Sequence, residues 1–206
     1  MLLRSILRCM SLTKVCWEDN MMDLTFDVNE VLRQRLAASL GLESYADIMN
    51  YVRQTDVEKD MYFQRTFNAF YRVRRNEEWR KEYYHLFEEL KDKTPSFKYI
   101  IRYMFEKTGN IEASFSSKML ATLCPEKPIW DRYVVENLGL KLEGKSKEEQ
   151  LNNAIRLYAD IEKWYEKFLE TEKAKECIKA FDEALPDYRW INPIKKIDCF
   201  LWSIRY

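Results

Sequence analysis

Apolar residues that recur every three or four positions run along most of this chain, and this spacing is what most constrains its fold. The clearest stripe consists of Leu151, Ala154, Ile155, Tyr158, Ile161, Tyr165, Phe168 and Leu169. Such spacing places side chains on one face of an α-helix, whereas residues of a strand alternate between two faces. Glycine and proline, at 4 and 5 of 206 residues, are too scarce for a turn-rich β fold. The pattern predicts an all-α, compact, bundle-like domain of about nine helices.

Helix-start residues divide this pattern into separate elements. Those that favour a helix start are Ser44, Asn76, Thr94 with Pro95, Ser146 with Glu149, and Asn192 with Pro193. The chain has no internal repeat, low-complexity tract or long linker. We therefore predict a single all-helical domain over residues 26–206, preceded by a loosely packed N-terminal segment, 1–25.

Cysteine use and apolar run length indicate the cellular setting. The five cysteines are odd in number and form no C-x-x-C pair, which argues against a disulfide framework and a zinc ribbon. No apolar run approaches the ~20 residues of a membrane span. Arg8 interrupts the apolar residues at the amino end, and no small-residue cleavage site follows. We expect a cytoplasmic protein with no membrane contact, metal cluster or cofactor.

The formal net charge is +0, which is unlike the basic bias of strong DNA binders. Basic residues are nevertheless concentrated in two segments. Residues 65–81 include six basic and two acidic side chains, and residues 91–107 include five basic and two acidic side chains. If nucleic acid is the partner, these cations should contact its backbone: Arg72, Arg74, Arg75, Lys98 and Arg102. A solvated helix surface is the more common explanation of such runs.

Lys118 and Asp131 form the one pairing that indicates a definite chemistry. Pro125 and Pro128 interrupt the chain between them, so two helices can turn back and bring the side chains together. A desolvated lysine is a usable nucleophile, as in Schiff-base enzymes, although a lysine can also lay its stem on apolar neighbours and keep its charge in water. Asp131 precedes a predicted helix, where it is first an N-cap and could also stabilise developing positive charge.

Small and aromatic residues flank this pair. Ser114 and Ser117 form a flank of small side chains that either admits another helix or leaves room for a ligand. Trp130 and Tyr133 could stack on a base, or they could anchor the core.

The segment from Thr108-Gly109 through Phe115-Ser-Ser-Lys118-Met-Leu to Pro128-Ile-Trp-Asp131-Arg-Tyr-Val resembles the core signature of the helix-hairpin-helix DNA glycosylase superfamily, over about residues 93–140. The resemblance implies an all-α fold of two lobes with the site in the cleft between them. It implies that Lys118 is the Schiff-base lysine that attacks the sugar C1′, and that Asp131 assists base departure. The hairpin here has a single glycine and an acidic residue, Glu112, where the family usually has a Gly-x-Gly turn that grips a phosphate.

Two functions follow as hypotheses. The first is a DNA-repair-type N-glycosylase or lyase that acts on a flipped base or abasic site in double-stranded DNA. The second is a non-catalytic helical module that binds DNA or protein and retains the glycosylase-like fold. His85 is the single histidine and has no companion motif, so we expect a partly exposed structural role for it.

Overall fold

The described part of the protein, residues 26–36 and 41–204 of a computed structural model, contains ten α-helices, one short 3-10 helix and no strand. The helices are α1 Val28–Leu36, α2 Leu42–Tyr51, α3 Met61–Tyr71, α4 Glu77–Leu90, α5 Phe97–Thr108, α6 Ala113–Leu123, α7 Arg132–Asn137, α8 Lys147–Leu169, α9 Glu172–Ala184 and α10 Pro193–Leu201. The 3-10 helix spans Pro186–Tyr188. The all-α prediction is confirmed. The segment 1–25, predicted to be loosely packed, lies outside the described residues.

Several helix starts follow the predicted capping chemistry. The side chain of Asn76 accepts a hydrogen bond of 3.0 Å from the backbone N–H of Trp79. Asn192 caps α10 in the same way, and Ser146 caps α8. Each cap satisfies an N–H group that has no partner within its own helix.

Two predicted helix starts are wrong. Ser44 lies inside α2, which begins at Leu42 after Gly41, a residue in the left-handed conformation with φ 63°. Ser96, not Thr94, caps α5 by accepting a hydrogen bond from the backbone N–H of Tyr99. Serine and threonine are nearly equal as caps, so the choice among neighbouring hydroxyls depends on which one the packing of the helix places at the boundary.

Packing of the helices places the later elements against the middle of the chain. Helices α5 and α6 form a hairpin through residues 109–112, and α5 also packs on α8. Helix α10 contacts α1, α7, α8 and α9. As a result the end of the described chain lies beside α7, the helix that Asp131 opens.

Stacked aromatic side chains fill the core at this junction. The ring of Phe97 stacks on that of Tyr158, with 3.9 Å between centroids, and lies parallel to that of Trp130 at 6.4 Å. All three side chains are buried. Each buried aromatic of this size contributes about 1.5–3 kcal/mol through removal of apolar surface from water. This cluster fixes the segment between α6 and α7 against α5 and α8.

Candidate active site

A cavity of about 620 Å³ lies between five helices. It is lined by residues at the start of α2, at the end of α3, and on α6, α7 and α10. Its charged lining residues are Arg72, Lys118, Asp131, Arg132, Lys195 and Asp198. Its aromatic lining residues are Phe70, Tyr71, Phe115, Tyr133 and Trp202. The cavity thus combines apolar walls with a small number of converging charges, which is the usual composition of a ligand site.

Lys118 reaches this cavity from the middle of α6. Its ammonium group donates a hydrogen bond of 3.3 Å to the backbone carbonyl of Tyr71 and lies 5.1 Å from the centre of the Phe115 ring. Burial lowers the pKa of Lys118 to about 8, and the positive charges of Lys195 and Arg72 act in the same direction. The attraction of Asp131 opposes this shift. The lowered pKa therefore increases the fraction of Lys118 that is a neutral amine near physiological pH.

Asp131 enters the same cavity from the start of α7. One of its carboxylate oxygens accepts a hydrogen bond of 2.9 Å from the backbone N–H of Tyr133, which is the N-cap contact expected at this position. The cap holds the side chain in one orientation, and the negative charge of Asp131 acts on Lys118. The structure therefore brings the predicted pair to a single cavity.

Ser117 fixes the position of Lys118 relative to Asp131. Its hydroxyl accepts a hydrogen bond of 2.8 Å from the backbone N–H of Trp130 and donates one of 2.9 Å to the carbonyl of Ser114. Ser117 is fully buried. It connects the helix that carries Lys118 to the segment that carries Asp131, so its role is positional.

The sequence-based placement of Ser114, Ser117 and Trp130 beside a substrate is corrected by the structure, since none of the three lines the cavity. Ser117 uses its hydroxyl inside the fold, and the carbonyl of Ser114 accepts it. Trp130 is 8% exposed because its ring packs against Phe97. Tyr133, in contrast, does line the cavity. Of these two aromatic residues, Tyr133 lines the cavity and Trp130 does not.

Arg72 occupies the rim of the cavity at the end of α3. It has φ 54°, a left-handed backbone conformation that is uncommon for a residue other than glycine. Its guanidinium group lies 5.8 Å from the centre of the Trp202 ring, which itself packs edge-on against Tyr133. Arg72 thus provides an exposed cation beside two aromatic rings.

Two charged residues of α10, Lys195 and Asp198, also line the cavity, and sequence reasoning did not select them. Asp198 accepts hydrogen bonds from the Tyr165 hydroxyl and from the backbone N–H of Ile129. Burial raises the pKa of Asp198 to about 6, against the lowering effects of Lys195 and the Tyr165 hydrogen bond.

The sequence did contain a signal for Asp198. Asp198 follows Ile194 by four positions and precedes Leu201 by three, so it falls on the apolar face of its helix. A carboxylate on a buried face needs partners inside the fold.

The other predicted cations have different surroundings. Arg74 and Arg75 line a second cavity of about 670 Å³ beside the α5–α6 hairpin, together with Lys107. Arg102 lies 3.5 Å from the Glu148 carboxylate and donates a hydrogen bond to Asn152 on α8, and Lys98 is exposed. Of the five residues predicted to contact the nucleic-acid backbone, only Arg72 lines the cavity that contains Lys118.

Glu112, the acidic residue of the hairpin, points into the fold and is only 3% exposed. Its carboxylate accepts a hydrogen bond of 2.8 Å from Arg75 and one of 3.1 Å from the indole N–H of Trp79. The hairpin therefore presents a neutralised ion pair at this position, and the second cavity contains no desolvated nucleophile among its lining residues.

Other chemistries find little support in residues 26–36 and 41–204. His85 is exposed and lies 3.3 Å from Glu58, a surface contact. The described residues contain no group of three or more His, Cys, Asp or Glu side chains that could hold a metal ion. In the same residues, every helix is either too short or too polar to cross a membrane.

The chain matches no model of a known protein family, and neither curated proteins nor solved structures include a significant match to it. The resemblance to helix-hairpin-helix DNA glycosylases thus stays a prediction. The function of this chain must therefore be inferred from the chemistry of the cavity around Lys118.

Proposed function

We propose that this protein is a DNA-repair-type N-glycosylase or lyase that uses the Lys118 amine to attack C1′ of a flipped nucleotide or an abasic sugar. The observation that carries the proposal is a lysine whose pKa is lowered to about 8, in a cavity that it shares with an aspartate. An unprotonated lysine is needed for imine formation, and burial beside other cations is a recognised way to obtain one.

The reaction at an abasic site begins with the ring-opened sugar, which has an aldehyde at C1′. The nitrogen lone pair of Lys118 forms a bond to C1′ and the carbonyl electrons move to oxygen. That oxygen receives protons and leaves as water, so that a protonated imine remains. A general base then removes a proton from C2′, and the resulting electron pair expels the 3′ phosphate from C3′. On an intact damaged nucleotide, the same attack displaces the base from C1′.

Asp131 has a complementary role in this scheme. Positive charge develops on the sugar as the base departs and persists in the protonated imine. A carboxylate held on the same cavity stabilises that charge without moving during the reaction. The N-cap hydrogen bond to Tyr133 fixes its position in advance.

The dimensions and lining of the cavity suit a nucleotide. Its volume of about 620 Å³ falls in the usual range of small-molecule sites, roughly 300–1,000 Å³. Tyr133 and Trp202 provide aromatic faces on which an extruded base can stack. Arg72 is exposed at the cavity and can contact a flanking phosphate, whereas Arg132, also exposed there, is paired with Glu136 at 2.7 Å.

Borohydride trapping on duplexes that contain an abasic site or a damaged base tests the proposal. Wild-type protein should form a covalent adduct, and mass spectrometry should locate it on the peptide that contains Lys118. Lys118→Gln should abolish the adduct. Lys179→Gln is the matched control, because it removes one positive charge from a side chain that is 76% exposed and lies outside the cavity lining. The absence of any adduct on a panel of lesions would refute the proposal.

The alternative, a non-catalytic helical module that binds DNA or protein, also has a specific observation in its favour. Arg75 is paired with Glu112, and Arg102 lies close to Glu148, so two of the predicted phosphate contacts are already neutralised. If this alternative holds, the protein should bind its partner without forming an adduct, and Lys118→Gln should leave that binding unchanged.

A further inference from the structure

Lys195 lies among three aromatic rings at the same cavity. Its ammonium group is 5.4 Å from the centre of the Tyr45 ring, 5.6 Å from that of Phe70 and 6.0 Å from that of Tyr71. The negative face of an aromatic ring attracts a cation. Asp198, three positions later in α10, places a carboxylate on the same cavity. These contacts hold Lys195 in place as a charged group.

The two lysines share a neighbour. The Lys118 ammonium lies 5.8 Å from the centre of the Tyr71 ring, and the Lys195 ammonium lies 6.0 Å from the same centre. Both side chains line one cavity. Two positive charges on one cavity repel each other, so one of them favours the loss of its proton.

We propose that Lys195 is a positioning residue for Lys118, whose caged positive charge increases the neutral, nucleophilic fraction of the Lys118 amine, and that Asp198 maintains that charge. This inference rests on the proposed function in one respect, namely that Lys118 is the reacting amine. It divides the work between two lysines that are far apart in the sequence. One is the nucleophile and the other supplies charge.

The surroundings of the two amines explain why the proton leaves Lys118. Burial alone would lower the pKa of Lys195, but its interactions with neighbouring groups outweigh this effect and hold that pKa above its ordinary value. The hydroxyls of Tyr45 and Tyr71 keep their protons because burial raises their own pKa values, so among these neighbours the Asp198 carboxylate supplies negative charge near neutral pH. For Lys118, burial is the largest cause of the lowered pKa, and Lys195 is the largest contribution from a charge in that direction.

Other charged and titratable groups also face the two lysines. On the Lys118 side they are Asp131 and Arg132 at the start of α7, Arg72 at the end of α3, and Tyr133. Asp131 favours the protonated form of Lys118, and Arg72 favours the neutral form. Because Arg72 is exposed, water screens its charge more than that of Lys195.

The experiment measures the protonation of Lys118 directly and needs no substrate. Trace labelling with acetic anhydride at a series of pH values modifies only neutral amines, and peptide mass spectrometry gives the labelled fraction at Lys118. In wild-type protein, labelling should reach half of its maximum near pH 8. Lys195→Met should move this midpoint upward by about one pH unit, which is roughly a tenfold loss of Lys118 reactivity at pH 7.

Three further variants separate charge from structure. Lys195→Arg keeps a cation in the cage and should restore a midpoint close to that of wild type. Lys179→Met removes an exposed charge outside the cavity lining and should leave the midpoint unchanged. Lys195→Gln is a second neutral variant, for use if circular dichroism shows that Lys195→Met does not fold.

The outcomes distinguish this inference from the proposed function. An unchanged midpoint in a folded neutral variant of Lys195 would overturn the inference, whatever the protein does to DNA. A raised midpoint in Lys195→Met or Lys195→Gln, restored by Lys195→Arg, would support it. If that result were obtained while wild-type protein trapped no DNA lesion, the proposed function would fail and the coupling of the two lysines would stand.

Discussion

The buried hydroxyl of Ser117 accepts a hydrogen bond of 2.8 Å from the backbone N–H of Trp130, thirteen positions further along the chain. This contact joins α6 to the segment before α7, and it lies one residue from Lys118 and one residue from Asp131. The geometry of the candidate site therefore depends on a side chain that does not itself line the cavity.

Ser117→Ala should destabilise the protein by about 1–3 kcal/mol, because the buried N–H of Trp130 loses its acceptor. Ser116→Ala is the matched control. The Ser116 hydroxyl is also buried on α6, but it has no hydrogen-bond partner within the described residues. Urea unfolding should therefore show little cost, or a gain, for Ser116→Ala. Equal losses in the two variants would contradict the role assigned to Ser117.

Lys118→Met should raise the free energy of unfolding at neutral pH. The folded-state pKa of Lys118 is about 8 and its ordinary value is 10.5, so the unfolded chain binds more protons between these pH values. The cost of burying the charged form is fully present below pH 8 and disappears as pH rises towards 10.5. At 1.36 kcal/mol per unit this cost is at most ~3 kcal/mol, and partial hydration reduces the expected gain to about 1–2 kcal/mol.

Denaturant titrations of wild type and Lys118→Met at several pH values test this sign. The difference in unfolding free energy should be largest at pH 7 and should shrink between pH 8 and 10.5. A difference that stayed constant over this range would mean that the gain has a cause other than the charge of Lys118.

The rate of imine trapping should depend on pH through the protonation of Lys118. At subsaturating DNA, where the rate reports the free protein, it should rise about tenfold per pH unit below pH 8 and level off above it, because only the neutral amine attacks. Asp131→Asn removes the attraction that favours protonated Lys118, so it should move this limb to lower pH. Asparagine caps helices nearly as well as aspartate, so the fold should be retained. An upward shift of the limb in Asp131→Asn would contradict the assigned interaction.

The ion pair between Arg75 and Glu112 should be worth far more than the surface pair between Arg102 and Glu148. Arg75→Ala leaves the carboxylate of Glu112, only 3% exposed, without its charge partner, and should cost about 2–4 kcal/mol. Arg102→Ala breaks a pair whose members are both solvent-exposed, and should cost about 1 kcal/mol or less. Thermal unfolding of the two variants compares them directly. Similar melting temperatures would contradict the larger contribution assigned to the pair that contains the buried Glu112.

Local sequence patterns determined the helices and the first half of the candidate site. The apolar stripe along α8 and the caps at Asn76 and Asp131 act over a few residues, so the linear sequence contains all the information that they need. The prolines between Lys118 and Asp131 likewise predicted a turn that brings these two side chains towards one another, and both side chains line one cavity.

Tertiary structure alone decided what surrounds that pair. Trp130 and Tyr133 are similar in type and close in sequence, yet packing against Phe97 buries the first while the second lines the cavity. Lys195 comes from the far end of the described chain and is placed beside Lys118 by the packing of α10. Desolvation and charge repulsion depend on distances between residues that are remote in sequence, and no local pattern encodes those distances. The sequence therefore identified Lys118 as the candidate amine, and only the folded chain determined how strongly that amine holds its proton.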